Sequence, residues 1–373
     1  MPANEPEIYK LFRLMEKYKS SDLHLKSNSP PVLRVAGSLR KLDLPPLSAQ
    51  QVWELISEIL SPDQGDDLTK TGNLDLAHAF ENNSGKLARV RINAFRQRGD
   101  ISLVARLVNT LVPTFEELHL PGDTFRKLAQ LEDGLILVAG ITGSGKSTTL
   151  AAMVDYINSH RRCHIVTIED PIEYMFEDKK AFINQREIGL DVETFPAALK
   201  HVVRQDPDVI MLGEMRDDVT VQTGLTAAET GHLVFGTLHA STVPQTISRI
   251  LDLFPGDRQD QIRMGLEFNM RSIICQKLLP SIRQDVDRVP ALELMIVNPI
   301  IKKLIRTGEQ EKIAQAIRSG QKEGMIDFTT HLVRLVKEGF IDKAVAVGVA
   351  PNPDLLEMNL QGIVLDEGRG IIH

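Results

Sequence analysis

Apolar and polar positions follow two regimes along this chain, and the change between them falls near residue 111. Residues 7–18 repeat apolar side chains three and four positions apart, the spacing of an amphipathic helix. Ser21-Asp22-Leu23-His24-Leu25 alternates with period two and predicts a strand. Pro30-Pro31 interrupts it, and Val32-Leu33-Arg34-Val35-Ala36-Gly37 predicts another strand before a turn. A second helix is expected over 48–60. Residues 89–95 alternate polar and apolar, and 100–108 read as their hairpin partner across Arg96-Gln97-Arg98-Gly99. These elements predict one small α+β domain over 1–111.

Residues 112–122, with Pro113 and the Leu120-Pro121-Gly122 break, read as an interdomain linker stiffened by proline. Beyond them strands alternate with helices. Strands are expected at 135–139, 164–168, 208–212 and 232–237, with helices from 146 and near 194–204 and 217–229. That order predicts a parallel sheet covered by helices, an α/β core over 123–290. Residues 291–373 read as a helical region, clearest at 309–346, with a tail after Asn352 that carries no recognisable chemistry.

Composition narrows the classes. With 373 residues and 42% hydrophobic content the chain suits two or three domains with ordinary cores. A net charge of -7 counts against bare nucleic acid as the main partner. Only Cys163 and Cys275 occur, so a disulfide framework and a cysteine-rich zinc site are excluded, and a reducing cytoplasm is expected. The N-terminus shows neither the basic region nor the apolar core of an export signal. Apolar runs fall far short of the ~20 residues of a spanning helix, so any membrane association is expected to go through partners.

The densest chemistry follows the strand at 135–139. Gly140, Gly145, Lys146 and Ser147 fit G-x-x-x-x-G-K-[ST], with Ile141, Thr142, Gly143 and Ser144 filling the turn. Glycines let consecutive backbone N–H groups point at one anion, and the new helix adds its unpaired N–H groups and positive dipole end. Lys146 is then expected against the β- and γ-phosphates of a nucleotide, and Ser147 on Mg²⁺. The next strands end in acids: 165–168 runs into Glu169, Asp170 and Glu173, and 209–212 into Gly213-Glu214. An apolar strand ending in a carboxylate beside a phosphate loop is the Walker B pattern, in which the carboxylate holds Mg²⁺ through water or orients the attacking water. His239, ending the fourth strand, is a donor or acceptor for a γ-phosphate, or else a satisfied structural histidine. His24 offers a metal ligand without a neighbour, or a solvent-facing strand histidine. Arg89 and Arg91 share a polar strand face with Arg106 on the neighbouring strand. They suit a phosphate, or form a solvated sheet face paired to carboxylates.

Taken together the motifs resemble the type II/IV secretion ATPase superfamily, and within it the PilT/PilU-type pilus retraction ATPases. The resemblance runs through Ser-Asp-Leu-His-Leu (21–25), Arg-Ile-Asn-Ala-Phe (91–95), the phosphate loop (143–153), Thr-Ile-Glu-Asp-Pro-Ile-Glu (167–173), the run 206–217, the histidine box 231–240 and Gly-Met-Ile-Asp-Phe (324–328). It implies a PAS-like N-terminal domain, a RecA-like ATPase domain, and a homohexamer that hydrolyses ATP with Mg²⁺. Each nucleotide would sit between the two domains, near a neighbouring subunit. By the same resemblance Lys146, Ser147 and Thr148 hold phosphates and Mg²⁺. Glu173 activates water with Glu169 and Asp170 in support, and Glu214 is the Walker B glutamate, holding Mg²⁺ through water. His239 with His232 is the sensor, and Arg91 and Arg106 complete the site. The load would be an inner-membrane pilus platform protein, the location cytoplasmic at the inner membrane, and a sister retraction ATPase a further partner. Two departures bear on the branch. Extension and secretion ATPases carry a four-cysteine zinc site, which two cysteines cannot make. Residues 300–307 keep the apolar pattern and Arg306 of the retraction motif but lack its Asn and Glu, which leaves an accessory paralogue open. The rival classes are a DNA translocase or helicase, and an assembly factor that binds ATP without turnover.

Overall fold

A computed structural model describes residues 5–35 and 37–362. The chain divides into two compact units after Leu111.

The first unit is an antiparallel sheet of β1 (Ser20–Leu25), β2 (Val32–Val35), β3 (Ser38–Lys41), β4 (Asn73–Glu81), β5 (Leu87–Gln97) and β6 (Asp100–Leu107), in the order β3-β2-β1-β6-β5-β4. With its helices the sheet makes an α+β unit. Helix Ile8–Lys17 buries Ile8, Leu11, Phe12 and Met15 at the expected spacing. On β5, Ala88, Val90, Ile92 and Ala94 turn inward, leaving Arg89 half-buried and Arg91 exposed. The helix expected over 48–60 is Ala49–Ser57, and a further helix, Pro62–Thr71, follows beyond it. Ser48 and Ser61 each close a capping box with the glutamine three residues on, and Pro62 occupies the first helical turn.

The second unit is built on β7 (Gly134–Ala139), β8 (His164–Glu169), β9 (Phe182–Glu187), β10 (Val209–Leu212), β11 (Leu233–Leu238), β12 (Met270–Pro280) and β13 (Arg288–Ile296). Their order is β13-β12-β7-β11-β10-β8-β9, parallel throughout except for β13 against β12. This is a RecA-like α/β core. β7, β10 and β11 are buried along their whole length, because helices cover both faces of the sheet. On one face Phe125, Leu150, Met153, Val154 and Ile157 pack below Ile136 and Val138. On the other, Leu135, Leu137 and Ala139 meet helices further along the chain. Each fully buried aliphatic side chain contributes roughly 1.5–3 kcal/mol.

Several features differ from the sequence pattern. Phe115 and Leu120 are buried in the second unit's core. β9 is a mostly polar edge strand that the apolar pattern does not announce. The region expected to be helical from 291 opens inside β13, and its first helix is Pro299–Thr307. Further helices follow at Ile313–Ser319, Phe328–Lys337, Lys343–Val349 and Pro353–Leu360, and the tail beyond 362 lies outside the described residues. No helix among the described residues is long and apolar enough to cross a membrane.

Candidate nucleotide site at the carboxyl edge of the sheet

Parallel strands bring all their carboxyl ends to one edge, and the loops that follow them surround a cleft of about 490 Å³. β7 supplies the phosphate loop. Gly143 and Gly145 take positive φ, 78° and 90°, which residues with a Cβ rarely adopt. A Cβ at Gly140 would come within 2.4 Å of Ser144 Oγ and 2.5 Å of the Gln276 carbonyl oxygen. Gly145 starts helix Lys146–His160 with no side-chain cap, so no side chain competes for the first-turn N–H groups. Lys146 folds back and donates to the carbonyls of Gly140 (2.9 Å) and Ile141 (3.2 Å). Burial lowers its pKa, and Glu214 and Glu173 oppose that shift. Ser144 Oγ is buried and has no hydrogen-bond partner among the described residues. Thr148 accepts from the Tyr174 hydroxyl at 3.1 Å. Thr142, Ser147 and Thr148 line the cleft.

β8 delivers the acids. Glu169 is buried and accepts from Thr167 Oγ1 (2.7 Å), Gln185 Nε2 (3.1 Å) and the Glu173 backbone N–H. Burial still raises its pKa to about 7, so it gains or loses a proton near neutrality. Asp170 and Glu173 are exposed on the cleft wall, and a cis peptide joins Asp170 to Pro171. β10 ends in Gly213-Glu214. Glu214 lies between Arg216 and His239: Arg216 Nη2 donates to Oε2 at 2.6 Å, and His239 Nε2 lies 3.0 Å from Oε1. His239 follows β11, whose Leu238 pairs with Ala139 just before the phosphate loop. Lys146, Glu169, Asp170, Glu173, Glu214 and His239 therefore share one cleft.

Other expected residues lie elsewhere. His232 precedes β11 by one residue, where its carbonyl accepts from Gly134 N–H, at the opposite edge of the sheet. Seven residue steps along the strand, at ~3.3 Å each, separate it from His239 by about 23 Å. Its Nδ1 faces Ala227 O (2.9 Å) and Thr230 Oγ1 (3.1 Å), so it caps its own turn instead of entering the cleft. Arg91 and Arg106 are cross-strand partners in the first unit. Arg106 Nε donates to the buried Asp22 at 2.7 Å. His24 is partly buried, with burial lowering its pKa.

Four cleft residues escaped the sequence reading: Tyr174, Arg216, Arg288 and, beneath the loop, Gln276. Arg216 stands two residues after Glu214 and was findable there. The others occupy no recognisable spacing. Gln276 donates from Nε2 to Ser144 O and accepts from Thr149 Oγ1, both at 2.8 Å.

The fold and this cleft define a P-loop ATPase. The family model described as "Type II/IV secretion system protein" matches residues 85–324. The chain is 42% identical to the Pseudomonas aeruginosa type IV pilus retractation ATPase PilT, over 93% of this chain and 99% of that protein. It is 36% identical to the P. aeruginosa type IV pilus ATPase PilU, over 95% and 91%. A crystal structure of the pilus retraction motor PilT with bound ADP superposes with a TM-score of 0.86 at 41% identity, over 95% and 99% of the two chains. The chain belongs to the type II/IV secretion ATPase family, and it is an ATPase.

Proposed function

We propose that the carboxyl-edge cleft binds ATP with Mg²⁺ and cleaves it by in-line attack of water, and that a cytoplasmic homohexamer uses this reaction to retract a type IV pilus. The observation that carries the reading is the convergence of Lys146, Glu169, Glu173, Glu214 and His239 on one uncapped helix N-terminus. The loop residues Gly140, Thr142, Gly143, Ser144, Gly145, Lys146, Ser147 and Thr148 cradle the phosphates. Lys146 exchanges its two loop carbonyls for phosphate oxygens, a short swing for an ammonium already aimed into the turn. The unpartnered Ser144 hydroxyl and the glycine cradle suit a phosphate chain. Mg²⁺, when bound, offsets phosphate charge, with Ser147 and Glu214 to hold it. Glu173 orients the attacking water. Glu169 and Asp170 support it, and a Glu169 carboxyl near its midpoint at neutral pH suits proton traffic. His239, pinned to Glu214, answers to loss of the γ-phosphate. Arg91 and Arg106, adjacent across β5 and β6, are assigned to completing the site on family grounds.

An inner-membrane pilus platform protein is the load, and a sister retraction ATPase a further partner. Deleting the gene tests the direction of work. Abundant surface pili with lost twitching are expected, and bald cells would contradict retraction. Pili that still retract would favour the accessory reading, to which the altered 300–307 motif gives some weight.

A further inference from the structure

Gln276 is a polar side chain only 4% exposed, in a strand otherwise packed with Ile273, Ile274 and Cys275. Strand alternation divides its neighbours between the two faces of the sheet. Ile274 belongs to the core beneath helix Lys146–His160, while Ile273 and Cys275 belong to the core on the opposite face. Gln276 points to the first face and spends both ends of its amide there. Nε2 donates to Ser144 O in the turn before Lys146, and Oε1 accepts from Thr149 Oγ1 in the helix after it. One side chain thus spans the phosphate loop. Its Nε2 would sit 2.7 Å from a Cβ at Gly145, so the loop's glycine makes room for the amide.

Lys277, the next residue, faces the other way. Its ammonium donates to Val349 O at 2.9 Å and stands 4.9 Å from the Phe328 ring centroid. Val349 closes helix Lys343–Val349, and Phe328 opens helix Phe328–Lys337. Two adjacent residues on one rigid strand therefore hold the phosphate loop on one face and the C-terminal helices on the other.

We propose that Gln276 is a positioning residue that holds the phosphate loop in its anion-binding form, and that Lys277 couples the state of that loop to the helices Phe328–Lys337 and Lys343–Val349. A bound nucleotide is then felt at the C-terminal helices, and by linkage a load on those helices alters nucleotide affinity. The inference rests on the reading that residues 140–148 hold phosphate.

The full chain tests it with ADP and Mg²⁺. Gln276→Met conserves volume and removes both hydrogen bonds. The expected result is a KM for ATP and a Kd for ADP raised about tenfold, with kcat changed less than about threefold. A merely structural defect would shrink the active fraction, lowering kcat at unchanged KM. Hydrogen exchange reads the second half. ADP is expected to slow exchange over 343–349 in the wild type but not in Lys277→Met, with Lys277→Gln as the alternative should that variant not fold. Unchanged KM and Kd in Gln276→Met would overturn the positioning role. No ADP effect at 343–349 in the wild type, or an effect surviving both Lys277 variants, would overturn the coupling. A wild-type chain that bound no ADP would instead overturn the nucleotide site itself.

Discussion

The two edges of the seven-stranded sheet carry the same residue types and do different things with them. At the carboxyl edge Glu214, His239, Arg216 and Lys146 face an open cleft and hold one another or their own loop. At the amino edge polar groups are tied to fixed structural partners. His232 caps the turn after helix Asp218–Glu229, His164 lies between Asp206 O and Asn184 Oδ1, and Arg271 pairs with Asp133. His232 and His239 flank the same strand, yet only one can reach a ligand in that cleft. A residue's place along a parallel strand decides its chemistry more than its membership of a motif does.

A second contrast sharpens the first. Glu293, buried in β13, has its pKa raised to about 7 by burial, just as Glu169 does, but unlike Glu169 it does not line the phosphate-loop cleft. It accepts from Val243 N–H at 2.6 Å, next to Asp327, which raises its pKa further, and Lys277, which opposes that. A perturbed carboxyl by itself does not mark a site; perturbation together with access does.

The largest expected effect is at Lys146, where Lys146→Ala should lower ATP turnover by about a hundredfold or more in a phosphate-release assay. Glu214→Gln should follow, with kcat down about a hundredfold and ADP still bound. Glu293→Gln should leave turnover nearly intact and change stability with a definite sign. The folded chain keeps the Glu293 proton up to about pH 7, whereas the unfolded chain releases it near the ordinary glutamate value of 4.5. Wild-type stability from this group therefore falls as pH rises from 4.5 to 7 and is level above. Relative to wild type, the variant should gain on the order of 1–3 kcal/mol between pH 4.5 and 8 in urea titrations. The smallest effect is at His232: His232→Ala should leave turnover within about twofold and cost about 1 kcal/mol, a few degrees in Tm. Turnover in His232→Ala as low as in Glu214→Gln would break the distinction between the edges.

Much of this was legible in the residues. β7, β8, β10 and β11 fall within one residue of their expected bounds, because strands buried on both faces read as short apolar runs between turn signals. The acids at their ends were found because a parallel sheet sends them to one edge. β9 was hidden by its polar edge composition. β12 and β13 were missed because they form an antiparallel pair with no helix between them, outside the strand–helix rhythm. Gln276 gave no signal at all, since one amide within a strand acquires meaning only when the strand is paired beside β7. His232 was assigned by resemblance, as part of the histidine box, and only the length of β11 removes it from the cleft.

The central claim is that the carboxyl edge of this sheet holds the nucleotide. A crystal structure of the full chain grown with ADP and Mg²⁺ tests it most directly. The diphosphate is expected on the backbone of residues 142–148, with the Lys146 ammonium released from the Gly140 and Ile141 carbonyls and Glu214 facing the phosphates. ADP seated elsewhere, with Lys146 still on those carbonyls, would contradict it.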